Sequence, residues 1–368
     1  MTISRIDRLT QLLPTSGFDA LALNPGSTLT YLTGLHFHLM ERPTVLLVVP
    51  GKVPALVLPE LEVGKARSGE VELQTFSYGD NPGNWHLAFE QATAALDMNG
   101  KRIGIEPTRL RYLELKFIEQ AAPQARFESA DEIFSGLRMQ KDSGEIERMR
   151  RAVKMAQQAL LATLPMVKAG VTEKEIAAEL FLQLLKAGSD TEIPFMPIVA
   201  GGPNSADPHA VPTDRPLQNG DLLVIDWGAR CGGYCSDLTR TFAIGPVEPE
   251  LQEIAAIVAQ ANSAGRAASQ PEIPAGEVDR AARAVIDAAG YGPQFFHRTG
   301  HGLGLDEHEP PYMFGENQLI LAPGMTYTVE PGIYLTGRGG VRIEDNVVIT
   351  ASGSETLSDL PRELITLG

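Results

Sequence analysis

Two segments of this chain each read as a β hairpin with an acid in both arms. GDLLVIDWGARCGGYCSDLTRTFAIG (220–245) has two apolar runs around a glycine-rich break, and MTYTVEPGIYL (325–335) with GVRIEDNVVIT (340–350) flank the loop TGRGG. Turning the first at Cys231 and Gly232 makes Asp226 and Asp237 direct cross-strand partners, with Cβ atoms ~5 Å apart on one face. Turning the second about Gly337 sets Glu330 opposite Glu344 by the same arithmetic. Carboxylates that close repel strongly unless one is protonated or a cation lies between them, and a metal is the simplest cation. One such pair could be a surface accident or could bracket an arginine. Two pairs in adjacent strand units of one domain make coincidence the weaker explanation.

The remaining sequence frames these hairpins in a regular order. FDALAL (18–23), TVLLVV (44–49), PALVL (54–58) and RIGIE (102–106) read as strands, and TRLRYLELKFIEQAA (108–122) as a helix opening at Thr108, so the first ~135 residues form a small α/β domain. The pattern breaks across 130–143. Asp142 then stands three residues before Glu145, a capping arrangement that opens a long amphipathic helix, and Thr172 with Glu175 opens a second that ends at Gly188. Helical spacing returns over 248–268 and 275–290. Helix pair, strands, helix pair, strands predicts a duplicated α+β unit over 142–368, joined to an accessory domain over 1–135.

Bulk properties exclude several function classes. A formal net charge of −15 with no basic patch argues against nucleic acid. No apolar run approaches the ~20 residues of a membrane span, and the amphipathic N-terminus lacks a long hydrophobic segment or small-residue cleavage site. The expectation is a soluble, cytoplasmic protein. Cys231 and Cys235, the only cysteines, are too few for a disulfide framework and lack the second ligand pair of a structural zinc site.

Three histidines crowd into FFHRTGHGLGLDEHEPP (295–311), interleaved with Gly300, Gly302 and Gly304, which let backbone approach a polar site closely. Here the motifs carry a family resemblance. DWGARCGGYCSDLTRTF, GHGLGLDEHE, TVEPGIY and VRIEDNVVIT resemble the metal-binding motifs of the pita-bread metallopeptidases, over roughly 142–360. PHAVPTDRPL and HRTGHGLG favour the proline-specific branch, that of Xaa-Pro dipeptidases (prolidases) and aminopeptidases P, and TYLTGL (30–35) is similar to the creatinase-like N-terminal domain of that branch.

The resemblance implies an α+β pita-bread catalytic domain with Asp226, Asp237, His301, Glu330 and Glu344 as ligands of two divalent metals. A hard, oxygen-rich donor set suits manganese, with zinc, cobalt and iron as alternatives. Glu330 would accept a proton from the attacking water, and His209, His297 and His308 match substrate-binding and proton-transfer histidines. Arg342 matches an arginine supporting the ligands, and Thr239, two residues from Asp237, is placed to orient that carboxylate. Phe195, Phe242 and Tyr312 are candidates for an apolar proline pocket. A dipeptidase must also bind a free carboxylate, for which Arg42, Arg298 and Arg342 are the candidate cations. The expected activity is hydrolysis of Xaa-Pro dipeptides by a homodimer, with aminopeptidase P action on longer peptides as the alternative. A lyase or amidinohydrolase on this scaffold, or a peptide-binding module, would have altered or lost ligands.

Overall fold

The computed structural model describes residues 4–69 and 71–368, which divide into two compact units between Arg138 and Met139.

In the first unit, a six-stranded mixed sheet runs in the order Gln74–Tyr78, Ala55–Pro59, Val45–Val48, Ala20–Leu23, Arg102–Ile105, Arg126–Ser129. The central strands are buried on both faces, which is why they read as unbroken apolar runs rather than alternating ones. Helices Trp85–Ala95 and Tyr112–Ala121 cover one face, and Phe89 stacks on Phe117 with ring centroids 5.0 Å apart. The second of these helices is capped at Arg111 rather than at Thr108.

The second unit repeats one plan twice. Helices Ser143–Thr163 and Glu173–Lys186 both begin in the capping boxes read from the sequence, with Asp142 and Thr172 each bonded reciprocally to a glutamate three residues on. They pack on a sheet ordered Ile365–Leu367, Leu238–Ile244, Leu222–Trp227, Ile198–Gly201. Trp227 anchors that packing, fully buried and donating its indole N–H to Ala156 O at 2.8 Å. Helices Pro249–Ala268 and Gly276–Ala288 precede the second sheet, Glu309–Met313, Gly300–Gly302, Thr326–Val329, Asp345–Thr350, Gly353–Thr356. The two sheets meet where Thr239 and Glu344 form an isolated antiparallel bridge. Among the described residues no helix is long and apolar enough to cross a membrane.

Candidate metal centre

Both acidic hairpins converge on that bridge, but by different registers. In the aspartate hairpin, Gly232 and Gly233 form the two-residue turn with φ of 55° and 84°, and Asp226 pairs with Thr239, not with Asp237. The turn expected at Cys231 and Gly232 is displaced by one residue, because two successive left-handed residues suit glycine and no other residue here. Asp237 is therefore two residues out of register with Asp226. It stays on the same face, since strand side chains alternate with a period of two.

In the glutamate hairpin the expected arithmetic is met. Thr326 to Val329 pair with Val348 to Asp345, Gly332 to Leu335 pair with Arg342 to Gly339, and one register runs through both, setting Glu330 opposite Glu344 at the step between. The ladder opens at that step. Glu330 N–H donates to Thr299 O at 2.8 Å, beside the strand carrying His301, and Glu344 N–H donates to Thr239 O at 3.0 Å in the other hairpin. The glutamates are thus tied by their backbones to the elements bearing the other acids and the histidine.

The side chains form overlapping groups. Asp226, Asp237 and Glu344 bring one ligand atom each to within 4.8 Å of one another, as do His301, Glu330 and Glu344. Asp226, Asp237, His301 and Glu344 are buried and Glu330 partly so. Oδ1 of Asp226 and Oδ1 of Asp237 are buried without any hydrogen-bond partner among the described residues, a costly arrangement for a carboxylate unless a cation is their intended neighbour. His301 Nδ1 lies 3.1 Å from Gly302 O; a carbonyl only accepts, so Nδ1 carries the proton and Nε2 keeps its lone pair, 3.4 Å from Glu330 and 3.6 Å from Asp237. Four carboxylates and one imidazole, sharing Glu344 between two groups, fit two divalent cations.

Electrostatics agree with that fit. For the chain by itself, burial and then the charges of Glu344, Asp226 and Glu330 raise Asp237 well above the usual carboxylate range. Burial followed by Glu330 and Asp226 does the same to Glu344, and burial, opposed by Arg342, lifts Glu330 to about 7. His301 is driven the other way, chiefly by burial and then by His308, and so stays neutral. Two divalent cations would reverse the carboxylate shifts.

A cavity of about 850 Å³ opens over these groups, and its wall includes His209, His297, His308, Arg298 and Arg342. Arg342 is buried. It donates to Asp226 Oδ2 at 2.7 Å, Thr239 Oγ1 at 3.1 Å, Tyr334 Oη at 3.1 Å and Pro208 O at 3.3 Å. Tyr334 in turn donates to His297 Nε2 at 2.9 Å, while His297 Nδ1 donates to Arg298 O at 2.8 Å. Both His297 nitrogens are thereby engaged, and burial pushes its pKa down to about 4. The rings of His209 and His308 have no hydrogen-bond partner among the described residues; the His308 ring lies tilted against that of His301, with centroids 3.8 Å apart. Arg298 lies 4.4 Å from the Tyr312 ring centroid. Arg42 belongs to the first unit, where it pairs with Asp80 at 3.0 Å and Glu41 at 3.2 Å.

Three expectations are corrected. Thr239 donates to Glu344 Oε2 at 2.7 Å and does not reach Asp237, a consequence of the register that pairs it with Asp226. Phe242 is buried in the core under the first helix pair, facing away from the cavity that Phe195 lines. Tyr312 backs Arg298 and is not on the cavity wall. Sequence reading missed Thr328, whose hydroxyl accepts from His301 N–H and donates to Glu330, each at 3.1 Å. It also missed Asp279 and Arg283, which bind Thr299 and the carbonyls of Phe295 and His297. Thr328, two residues before Glu330 and hence on its face, was findable by alternation; the helical pair had no local signal.

Comparison with known proteins gives a consistent result. Residues 147–351 match the model of metallopeptidase family M24, and residues 5–140 the creatinase/prolidase N-terminal domain. An Xaa-Pro dipeptidase of Lactobacillus helveticus is 33% identical over 360 residues, covering 98% of each chain. The recombinant prolidase of Thermococcus sibiricus superposes with a TM-score of 0.93 at 33% identity, covering 100% of both chains. The X-Pro aminopeptidase of Thermotoga maritima gives 0.87 at 31% identity, over 99% of this chain and 100% of that one.

Proposed function

The chain belongs to metallopeptidase family M24, and from that premise we propose that it hydrolyses the peptide bond before proline in Xaa-Pro dipeptides. The observation that carries this reading is the pair of donor groups sharing Glu344 beneath the cavity, with one oxygen of each aspartate lacking a hydrogen-bond partner among the described residues. In this reading Asp226, Asp237, His301, Glu330 and Glu344 hold two divalent ions, manganese by the hardness of the donor set. Such ions supply Lewis acidity and a water of lowered pKa.

The chain's own groups do the rest. Glu330, held by Thr328 and by its backbone bond to Thr299, takes the proton of the attacking water and returns it to the proline nitrogen as the bond breaks. His308 and His209, with uncommitted ring nitrogens, donate to the oxyanion that develops on the scissile carbonyl. Neutral His297 is locked between Tyr334 and Arg298 and fixes the wall between them. Proline's tertiary amide has no N–H for a binding strand, so its ring must be held by shape, and Phe195 offers an apolar surface.

Arg298 supports the preference for dipeptides. Its guanidinium is on the cavity wall, stacked on Tyr312, with no acidic partner among the described residues, as a receiver of a free carboxylate should be. Arg42 is committed to acids of its own unit. The residues between His308 and Glu330 contain no Lys or Arg, leaving Arg298 as the cation on which the reading relies. Aminopeptidase P action is the second reading, favoured by the match to the Thermotoga maritima enzyme. The reading takes residues 1–135 as the accessory domain and 142–368 as the catalytic domain of a cytoplasmic homodimer. Comparing an Xaa-Pro dipeptide with an Xaa-Pro-Xaa tripeptide on manganese-loaded protein tests it: dipeptide hydrolysis should dominate, and strong tripeptide preference would turn the conclusion to aminopeptidase P.

A further inference from the structure

Glu173 opens the second helix of the catalytic unit and its side chain has no solvent exposure, yet among the described residues none of its hydrogen-bond partners is a cation. Its two oxygens divide their work. Oε1 accepts from Gly201 N–H at 2.7 Å and Asn204 Nδ2 at 2.9 Å, while Oε2 accepts from Thr213 N–H at 2.9 Å, Thr213 Oγ1 at 2.6 Å and again from Asn204 at 3.1 Å. One carboxylate therefore joins the two roots of the segment 201–213, closing it into an Ω-shaped loop. Pro208 and His209, on the cavity wall, lie at the middle of that loop.

The entering turn 202–206 packs along the strand Gly339–Arg342, but the other hydrogen bonds from the loop to the rest of the unit are few. Ser205 Oγ accepts from Gly340 N–H at 2.8 Å on the entering side, and Lys174 N–H donates to Thr213 O at 3.1 Å on the leaving side. Between them, 207–212 is bonded within itself, through His209 N–H to Asp207 Oδ1 at 3.0 Å and Ala210 N–H to Asp207 O at 3.2 Å, and to Arg342 through Pro208 O at 3.3 Å. Among the described residues the imidazole of His209 has no hydrogen-bond partner that would hold it in place, so its position over the metal ligands is set by where the loop is rooted.

We propose that Glu173 is a positioning residue: by clamping both roots of the 201–213 loop it presents His209 to the substrate, without touching substrate or metal. This rests on the hydrolase reading above for the role of His209. The hydrogen bonds of Glu173 go to the loop roots at Gly201, Asn204 and Thr213 and to no side chain of the five metal-ligand candidates, and the manganese affinity of a variant separates this role from support of the Asp226 strand, which pairs with Ile198–Gly201. Breaking a buried, multiply bonded acceptor is strongly felt at the groups it holds, and residues acting as a unit are non-additive.

The test is a double-mutant cycle with Glu173→Gln and His209→Ala. Glu173→Gln turns one acceptor oxygen into an amide donor facing other donors. It should lower kcat/KM for an Xaa-Pro dipeptide about tenfold with manganese affinity unchanged. The double variant should be no slower than His209→Ala alone. Hydrogen exchange of the hydrogen-bonded Asp207, His209 and Ala210 amides should quicken about tenfold in Glu173→Gln. Additive losses, unchanged exchange, or a matching fall in metal affinity would overturn the proposal. Should Glu173→Gln fail to fold, Thr213→Val removes the hydroxyl that donates to Glu173 and accepts from Arg215 N–H while leaving the Gly201, Asn204 and Thr213 N–H bonds to Glu173, and the same non-additivity with a smaller loss is expected. Wild-type protein that cleaves no Xaa-Pro peptide would refute the hydrolase reading separately; exchange then decides, faster in the variant supporting the clamp and unchanged overturning it.

Discussion

The aspartate hairpin and the glutamate hairpin do the same work with opposite economy of sequence. In the glutamate hairpin one register runs from Val329 and Asp345 through Leu335 and Gly339, and the acids face each other across it. In the aspartate hairpin the Gly232–Gly233 turn fixes a register that pairs Asp226 with a threonine and leaves Asp237 just before the strand Leu238–Ile244 begins. The difference teaches that facing pairs are not what the site needs. It needs oxygens on one face near one point, and a period of two delivers that from a directly opposed pair or from one displaced by two residues.

The sharpest way to break the comparison is to remove one acid from each hairpin. Asp237→Ala and Glu344→Ala should each lower kcat/KM by at least ~10³-fold, because each deletes a donor from the shared site. Circular dichroism should show both still folded. If only one of the two were inactive, the equivalence of the hairpins would fail.

A smaller effect separates sequence neighbourhood from contact. Thr239 sits two residues from Asp237 but donates to Glu344 and accepts from Arg342, which also holds Asp226. Thr239→Val should weaken metal binding by about 10- to 100-fold, as loss of a hydrogen bond to a ligand commonly does. Isothermal titration measures this directly, and an unchanged affinity would show that Glu344 is held well enough by its strand.

The pH dependence sharpens the account next. Glu330 has a folded-state pKa raised to about 7 by burial, and Asp237 and Glu344 are raised well above their ordinary values. Groups raised on folding contribute stability that is present below their unfolded-state values, 3.8 for the aspartate and 4.5 for the glutamates, and lost as pH rises through the folded values. Metal-free protein should therefore melt at lower temperature at pH 8 than at pH 6, and metal binding should release protons and tighten over the same range. Calorimetry of metal-free and manganese-loaded protein at both pH values checks the sign.

The smallest effect concerns the turns. Gly337 has φ of 77° and open space where a Cβ would lie, so Gly337→Ala should cost about 1 kcal/mol from backbone strain alone. At Gly232, by contrast, a Cβ would lie 2.9 Å from Arg148 Cδ as well as meeting an unfavourable φ, so Gly232→Ala should cost more. Thermal melts of the two variants rank them.

These contrasts also mark how far the sequence could be read. Capping boxes at Asp142 and Thr172 and the unbroken apolar strands of the first unit are local signals, and the structure forms the elements they predict. The glutamate pairing was legible because a hairpin is symmetric about its turn. The aspartate register was not, because CGGYC admits two turn centres one residue apart and only the pair of left-handed glycines decides between them. Contacts between distant segments were invisible: Thr239 to Glu344 spans 105 residues and Asp279 to Thr299 couples a helix to a loop. Such partners are set by how the two halves of the unit meet, which neither half encodes alone.

The most direct test of the central claim is a titration of metal-stripped protein with manganese, following bound metal and Xaa-Pro dipeptide hydrolysis together. Two equivalents per chain should bind, with activity rising in step and both lost in Asp237→Ala. Full hydrolysis by the stripped protein, or no binding at these five residues, would contradict it.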